Sequence, residues 1–76
     1  MKLRVKYVDG KGYFSQVKLN LFIGYATIVA YRLGFTLLEE KSVAFPLETK
    51  EDAIKLCKAY EEWFLKNTKK PIYYYL

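Results

Sequence analysis

Histidine is absent from this chain of 76 residues, and cysteine occurs once, at Cys57. Without histidine, a zinc site loses its commonest ligand and a catalytic site loses the usual general base at neutral pH. A single cysteine excludes a disulfide within the chain, and nothing in the composition requires an oxidising compartment. We therefore predict a cytoplasmic protein that binds neither a metal nor another cofactor.

Long uncharged stretches are also scarce, which bears on whether the chain enters a membrane. The longest is residues 19–31, and a helix of that length covers only about 20 Å of the roughly 30 Å of hydrocarbon in a bilayer. Extending the segment to residue 38 places Arg32 inside it. The first twelve residues alternate charged and apolar side chains, unlike the apolar region of a signal peptide. We expect no membrane span.

Residues 25–33 fit neither the helical nor the strand period cleanly. The stretch is rich in β-branched and aromatic residues, and Gly24 and Gly34 stand at its ends. We interpret it as a buried strand, with a short helix between the two glycines as the alternative.

Aromatic side chains are abundant, with eight Tyr and five Phe, and 53% of the residues are hydrophobic. A small domain needs such large side chains to bury enough apolar surface. The composition argues against a disordered chain. Because the length suits one hydrophobic core, we predict a single domain over residues 1–76.

Two stretches near the start alternate in the manner of β-strands. Residues 2–8 and 13–23 flank the turn sequence Asp-Gly-Lys-Gly at 9–12, which predicts a β-hairpin. The register places the basic residues of the first strand beside the polar residues of the second. We predict one apolar sheet face and one face that is wet and basic.

The clearest element is a helix over about residues 50–66. Thr49 is placed to cap it, with Asp52 three residues later as in a capping box. One face repeats apolar residues at helical spacing, namely Ala53, Leu56, Cys57, Tyr60, Trp63 and Phe64. Residues 35–46 predict one or two short strands, and residues 71–76 a final strand. The predicted fold is α+β, an antiparallel sheet of three to five strands with one amphipathic helix on one face, in the order β-β-(β-β)-α-β.

The charge distribution suggests one candidate function. The formal net charge is +5, and residues 1–38 carry six Lys or Arg against one Asp. A basic sheet face with aromatic neighbours such as Phe14 and Phe22 can bind single-stranded nucleic acid. The candidate residues are Lys2, Arg4, Lys6 and Lys18. The alternative is a face that only keeps the protein soluble and protects a sheet edge.

Protein binding is the function that we rank first. Tyr73, Tyr74 and Tyr75 cannot all point inward from one strand, and tyrosine offers large, stiff contact area. A C-terminal strand is also a candidate edge for pairing with another protein or with a second copy. We name these three tyrosines as candidate contacts.

Catalytic patterns are weak, and we predict that the protein is not an enzyme. Cys57 falls in mid-helix on the predicted buried face, without a histidine to activate it. The carboxylate pairs at 39–40 and 61–62 are neighbours in sequence, whose side chains diverge on a helix or a strand. The Gly-Lys-Gly at 10–12 lacks the third glycine and the strand-to-helix context of a phosphate loop.

The segment 42–57 resembles the strand-to-helix entry of small uncharacterised bacterial and phage proteins that combine a β-hairpin, one helix and a final strand. The matching residues are Phe45, Thr49, Glu51, Asp52 and Ala53. The resemblance implies a cytosolic setting and an accessory protein of a phage or mobile element that binds a host protein. It transfers no activity and no site residue.

Overall fold

Four antiparallel strands and one helix make up the part of the chain that the computed structural model describes, residues 1–19 and 24–67. The strands are β1 (Lys2–Val8), β2 (Gly12–Lys18), β3 (Ala26–Tyr31) and β4 (Gly34–Glu39), and the helix α1 spans Lys50–Asn67. The strands neighbour one another in chain order, β1-β2-β3-β4. The predicted α+β fold is confirmed. The predicted final strand, and the second strand beyond residue 19, lie largely outside the described residues.

The first hairpin forms as the alternation predicts. Leu3 lies opposite Val17 and Arg4 opposite Gln16, so apolar residues share one face and polar residues the other. Gly10 takes a φ of +77° in the turn, which the backbone of glycine adopts without steric cost. The turn closes with a hydrogen bond of 3.0 Å from the Lys11 N–H to the Val8 carbonyl oxygen.

Ala26–Tyr31 form a strand, so the alternative of a short helix is wrong, but the strand is buried only at Thr27 and Ile28 and is exposed at Ala30 and Tyr31. β3 pairs with β4 along its whole length, from Ala26 opposite Glu39 to Tyr31 opposite Gly34. Pairing with two neighbouring strands decides the conformation that local periodicity leaves open. Within the described ranges, no helix combines the length and the apolar character that crossing a bilayer requires.

β2 and β3 pair over only a short stretch. Nearer its start, β2 pairs with a loop residue instead. The pairs are Gln16 with Thr27 and Val17 with Ala26. Tyr13 instead exchanges two backbone hydrogen bonds of 2.9 Å with Leu47. These bonds fasten the segment between β4 and α1 to the start of β2.

The helix begins and packs as predicted. The Thr49 hydroxyl oxygen accepts a hydrogen bond of 3.1 Å from the Asp52 N–H, the first half of the capping box. Ala53, Cys57 and Tyr60 are buried on the face toward the sheet. The Ser15 hydroxyl donates a hydrogen bond of 2.6 Å to the Ala53 carbonyl and ties β2 to the first turns of α1.

Tyr60 is the centre of the core. It packs with Val17 and Ile28, and three further rings surround it, those of Phe35, Trp63 and Phe64, at centroid distances of 5.6, 6.0 and 5.9 Å. The Phe35 ring meets it edge-on, a favourable aromatic geometry. This cluster holds the second half of α1 against β2, β3 and β4.

Burial of Tyr60 makes the stability of the fold sensitive to alkaline pH. Burial raises the pKa of its phenol above the ordinary value of 10.0, because the charged form loses its hydration. The folded pKa then exceeds the unfolded one, so this stability is complete below pH 10 and is lost as pH rises through the folded pKa. We expect the urea midpoint of the natural protein to fall more steeply above that pH than the midpoint of Tyr60→Phe. Equal slopes for the two proteins would contradict the prediction.

Candidate functional site

The four predicted basic residues lie together on one face of the β1–β2 hairpin. Lys2 is directly opposite Lys18, and the next pair, Leu3 and Val17, faces the core under α1. Strand alternation therefore places the basic residues on the face away from the helix. Lys2 and Lys18 are exposed, and Lys6 is half-buried. Like charges directly opposite each other cost stability, unless a negative partner binds there.

Arg4 differs from the three lysines because its charge already has partners. Its Nε donates a hydrogen bond of 2.7 Å to the side-chain oxygen of Gln16. Its Nη2 forms an ion pair with Glu40, and its guanidinium carbon lies 3.7 Å from the centre of the Tyr25 ring. Arg4 is thus already in contact with Gln16, Glu40 and Tyr25, and it is less available to a phosphate than the lysines are.

The centre of this face is buried, which corrects the prediction of a wholly wet surface. Gln16 is 0% exposed, and Thr27 and Phe14 are also buried. The Gln16 amide donates hydrogen bonds of 3.2 Å to the Thr27 hydroxyl and to the Glu40 carbonyl. The Arg4 side chain crosses from Gln16 to Glu40 and joins this network. Phe14, being buried, offers no ring face for a nucleic-acid base to stack on.

The two edges of the described sheet have opposite character. β1 carries Lys2, Arg4 and Lys6 along its length, and charged residues of this kind discourage pairing with another chain. β4 reads GFTLLE and has no charge before its final residue. Among the described residues, β4 has a strand neighbour on one side only. Within residues 1–19 and 24–67, the other side of β4 is an apolar edge whose composition suits pairing with an added strand.

Exposed apolar side chains extend the β4 edge at the hairpin turn. Leu33 is 86% exposed and Tyr31 54% exposed. Trp63 of α1 lies behind the turn, its ring 3.5 Å from the place where Gly34 would carry a Cβ. Phe35 contacts the same ring at a centroid distance of 5.4 Å. The edge therefore packs on the aromatic rings of Phe35 and Trp63, with apolar contact area beside it.

An apolar cleft lies between β3, α1 and the loop before the helix. It measures about 420 Å³, and its lining includes Ile28, Leu47 and Leu56. Phe45 stands on its rim, 70% exposed and with a φ of +58°. A bulky residue rarely adopts that backbone conformation. The cleft could hold an apolar side chain but contributes no reactive group.

The candidate reactive groups do not converge on a catalytic arrangement. Cys57 is buried, as predicted, with its sulfur 3.6 Å from the Arg4 carbonyl oxygen. Glu39, Glu61 and Glu62 are exposed. Within residues 1–19 and 24–67, no three side chains of the metal-binding types lie close enough together to hold an ion.

The predicted tyrosine contacts lie outside the described residues, as does Phe22. The short strand predicted within residues 35–46 is present as β4, but the candidate pairing edge predicted from the sequence was residues 71–76, which lie outside the described residues. The signal for β4 was the uncharged stretch between Arg32 and Glu39. That stretch becomes an edge only through the strand order, which local pattern does not predict.

Comparison with known proteins identifies no relative. No family model matches the chain, and neither does any curated protein or solved structure. The resemblance of residues 42–57 to small bacterial and phage proteins therefore remains a prediction.

Proposed function

We propose that the protein is a binding module that captures an extended polypeptide segment along the β4 edge. The observation that carries the proposal is the contrast between the sheet's two described edges, one lysine-rich and one without charge before Glu39. Proteins usually protect a free edge with charges, prolines or bulges. An edge left apolar, and supported from behind by Phe35 and Trp63, has the character of a surface built for pairing.

Strand addition would supply both affinity and selectivity. Backbone hydrogen bonds along β4 hold the incoming segment. Alternate side chains of that segment contact opposite faces of the sheet, and these contacts select the sequence. Phe35 and Leu37 lie on the face toward α1, and Thr36 and Leu38 on the other face. A fitting segment is therefore extended, rich in β-branched and aromatic residues, and uncharged at its centre.

The cellular compartment and the kind of target that we propose follow from Cys57 and from residues 42–57. Cys57 is unpaired, as is usual in a reducing compartment, so we place the protein in the cytoplasm. The resemblance at residues 42–57 points to a host protein as the target of a phage or mobile-element accessory protein.

Nucleic-acid binding is the second candidate, favoured by the opposition of Lys2 and Lys18. A phosphate between the two ammonium groups would relieve their repulsion. The ion pair of Arg4 with Glu40 and the burial of Phe14 place this function below protein binding.

One capture experiment separates the two candidates. The tagged full-length chain would be used to capture partners from lysate of its source organism, with and without nuclease. We expect a discrete protein in both eluates, lost with Thr36→Lys because a charge then stands on the edge. Val43→Lys, which adds the same charge on an exposed loop residue, should retain the partner.

Two further readings complete this test. Partner binding should slow hydrogen exchange of the β4 backbone amides, because strand addition engages them. Loss of the captured material on nuclease treatment, and with the double variant Lys2→Glu, Lys18→Glu, would support nucleic-acid binding instead. Equal capture by natural chain and Thr36→Lys would contradict the β4 proposal.

A further inference from the structure

We infer that the region where β2 and β3 separate has two alternative pairings, in which Leu47 and Ala30 compete for the backbone of Tyr13. The pairing of Tyr13 with Leu47 described above is the Leu47 state. In the alternative, the Ala30 state, β3 pairs with β2 over a longer stretch and Leu47 is released. The inference goes beyond the proposed function, because it concerns the inner strands of the sheet and not the β4 edge.

The register of β2 and β3 places Ala30 where Leu47 is bound. The pair Gln16–Thr27 fixes the alignment, and the same alignment, continued toward the start of β2, sets Tyr13 opposite Ala30. The Tyr13 N–H and carbonyl oxygen both bond to Leu47, so they point away from β1 and toward the β3 side. Opposite residues of an antiparallel pair direct their backbone groups alike. The N–H and carbonyl oxygen of Ala30 therefore point toward β2.

Opposing contributions bring the two states close in free energy. Each state gives Tyr13 two backbone hydrogen bonds, so the exchange of partners is itself close to neutral. The side chain of Leu47 is half-buried in the Leu47 state, which favours that state. Against it, Phe45 holds a φ of +58° in the same loop, a conformation that strains a bulky residue. Release of Leu47 frees the loop to relieve this strain.

The apolar cleft is the space left between the separated β3 strand and the loop. Its lining includes Ile28 and Ala30 on one side and Phe45 and Leu47 on the other. Pairing of Ala30 with Tyr13 would bring β3 to the usual strand spacing of about 4.7–4.9 Å from β2, and the released loop would no longer form a wall. The cleft therefore belongs to the Leu47 state, and an apolar side chain bound in it would favour that state.

Hydrogen exchange at two backbone amides distinguishes the states. The Leu47 N–H bonds to Tyr13 in the Leu47 state, and the Ala30 N–H does so in the Ala30 state. Gly12→Ala should shift protection from Leu47 to Ala30 and slow exchange at Ala30 about tenfold, because the new Cβ crowds the Leu47 carbonyl oxygen. Gly10→Ala adds a Cβ with no atom within 4 Å, and it should shift neither amide.

NMR relaxation dispersion tests the same exchange in the natural chain. The amides of Tyr13, Ala30 and Leu47 should share one exchange process, with about 1% of the molecules in the Ala30 state. Ala30→Pro should abolish this process, because proline has no N–H to donate to the Tyr13 carbonyl oxygen. That N–H points away from β4, so the β3–β4 pairs should remain.

Three results would overturn the inference. One is a Gly12→Ala variant in which Leu47 loses protection and Ala30 gains none, because the loop then only detaches. Another is unchanged protection of both amides in that variant. The third is a natural chain without a shared exchange process, or one whose process persists in Ala30→Pro. If Gly12→Ala does not fold, the relaxation measurements on the natural chain and on Ala30→Pro decide.

Discussion

Replacing Gly12 with alanine is expected to lower the free energy of unfolding by about 2–6 kcal/mol, a large part of the roughly 5–15 kcal/mol typical of a domain. Gly12 has a φ of +138°, where a side chain adds strain of about 1–3 kcal/mol. A Cβ there would also lie 2.7 Å from the Leu47 carbonyl oxygen. Relieving that contact must disturb the Tyr13–Leu47 hydrogen bonds and adds about 1–3 kcal/mol.

Gly10→Ala is the matched control, because it isolates the backbone cost from the contact. Gly10 also has a positive φ, +77°, but nothing lies within 4 Å of its missing Cβ. We expect it to cost only about 1 kcal/mol. Urea unfolding followed by the fluorescence of Trp63, the chain's single tryptophan, measures both. Equal losses for the two variants would show that the Leu47 contact does not matter.

Gln16→Leu should destabilise the protein by about 2–4 kcal/mol, although leucine is similar in size and more apolar. The substitution removes the amide that accepts from Arg4 and donates to the Thr27 hydroxyl and the Glu40 carbonyl. Buried polar groups left without a partner cost about 1–3 kcal/mol each in full desolvation. The same urea titration measures the loss.

Thr27→Val tests whether the cost of Gln16→Leu comes from the polar groups that lose their hydrogen-bond partner. Alone it should cost about 1 kcal/mol, because Gln16 retains its other bonds. Combined with Gln16→Leu, it should cost about 1 kcal/mol less than the sum of the single losses, since both partners of one bond are then apolar. A loss of under about 0.5 kcal/mol for Gln16→Leu would contradict the network's role.

Local pattern predicts the elements whose conformation is settled by their own residues. The alternation of β1 and β2 and the spacing of α1 are of this kind, and their cap and turn residues mark the ends. β3 is different, because Ala26 and Thr27 become strand through their pairs on β2 and β4. The bond between Tyr13 and Leu47 joins residues far apart in sequence, and no local signal marks it.

Local pattern likewise predicts some properties of the candidate sites and not others. The hairpin register predicts that Lys2, Arg4 and Lys18 share a face, and the structure places them there. The ion pair between Arg4 and Glu40 depends on the path of the chain through two further strands. The apolar β4 edge depends on strand order. Both properties belong to the whole sheet, so local pattern predicts neither the ion-pair partner of Arg4 nor the edge position of β4.

Cys57 gives the natural protein a chemical reporter of its own opening. The chain has one thiol, and it is enclosed between α1 and the backbone of β1, facing the Arg4 carbonyl. Because Cys57 is only 6% exposed, a labelling reagent should react with the sulfur much faster after α1 has lifted from the sheet than before. When reclosure is faster than labelling, the ratio of the rates in folded and denatured chains yields the free energy of that opening. Lifting of the helix can thus be measured in water without denaturant or an introduced probe.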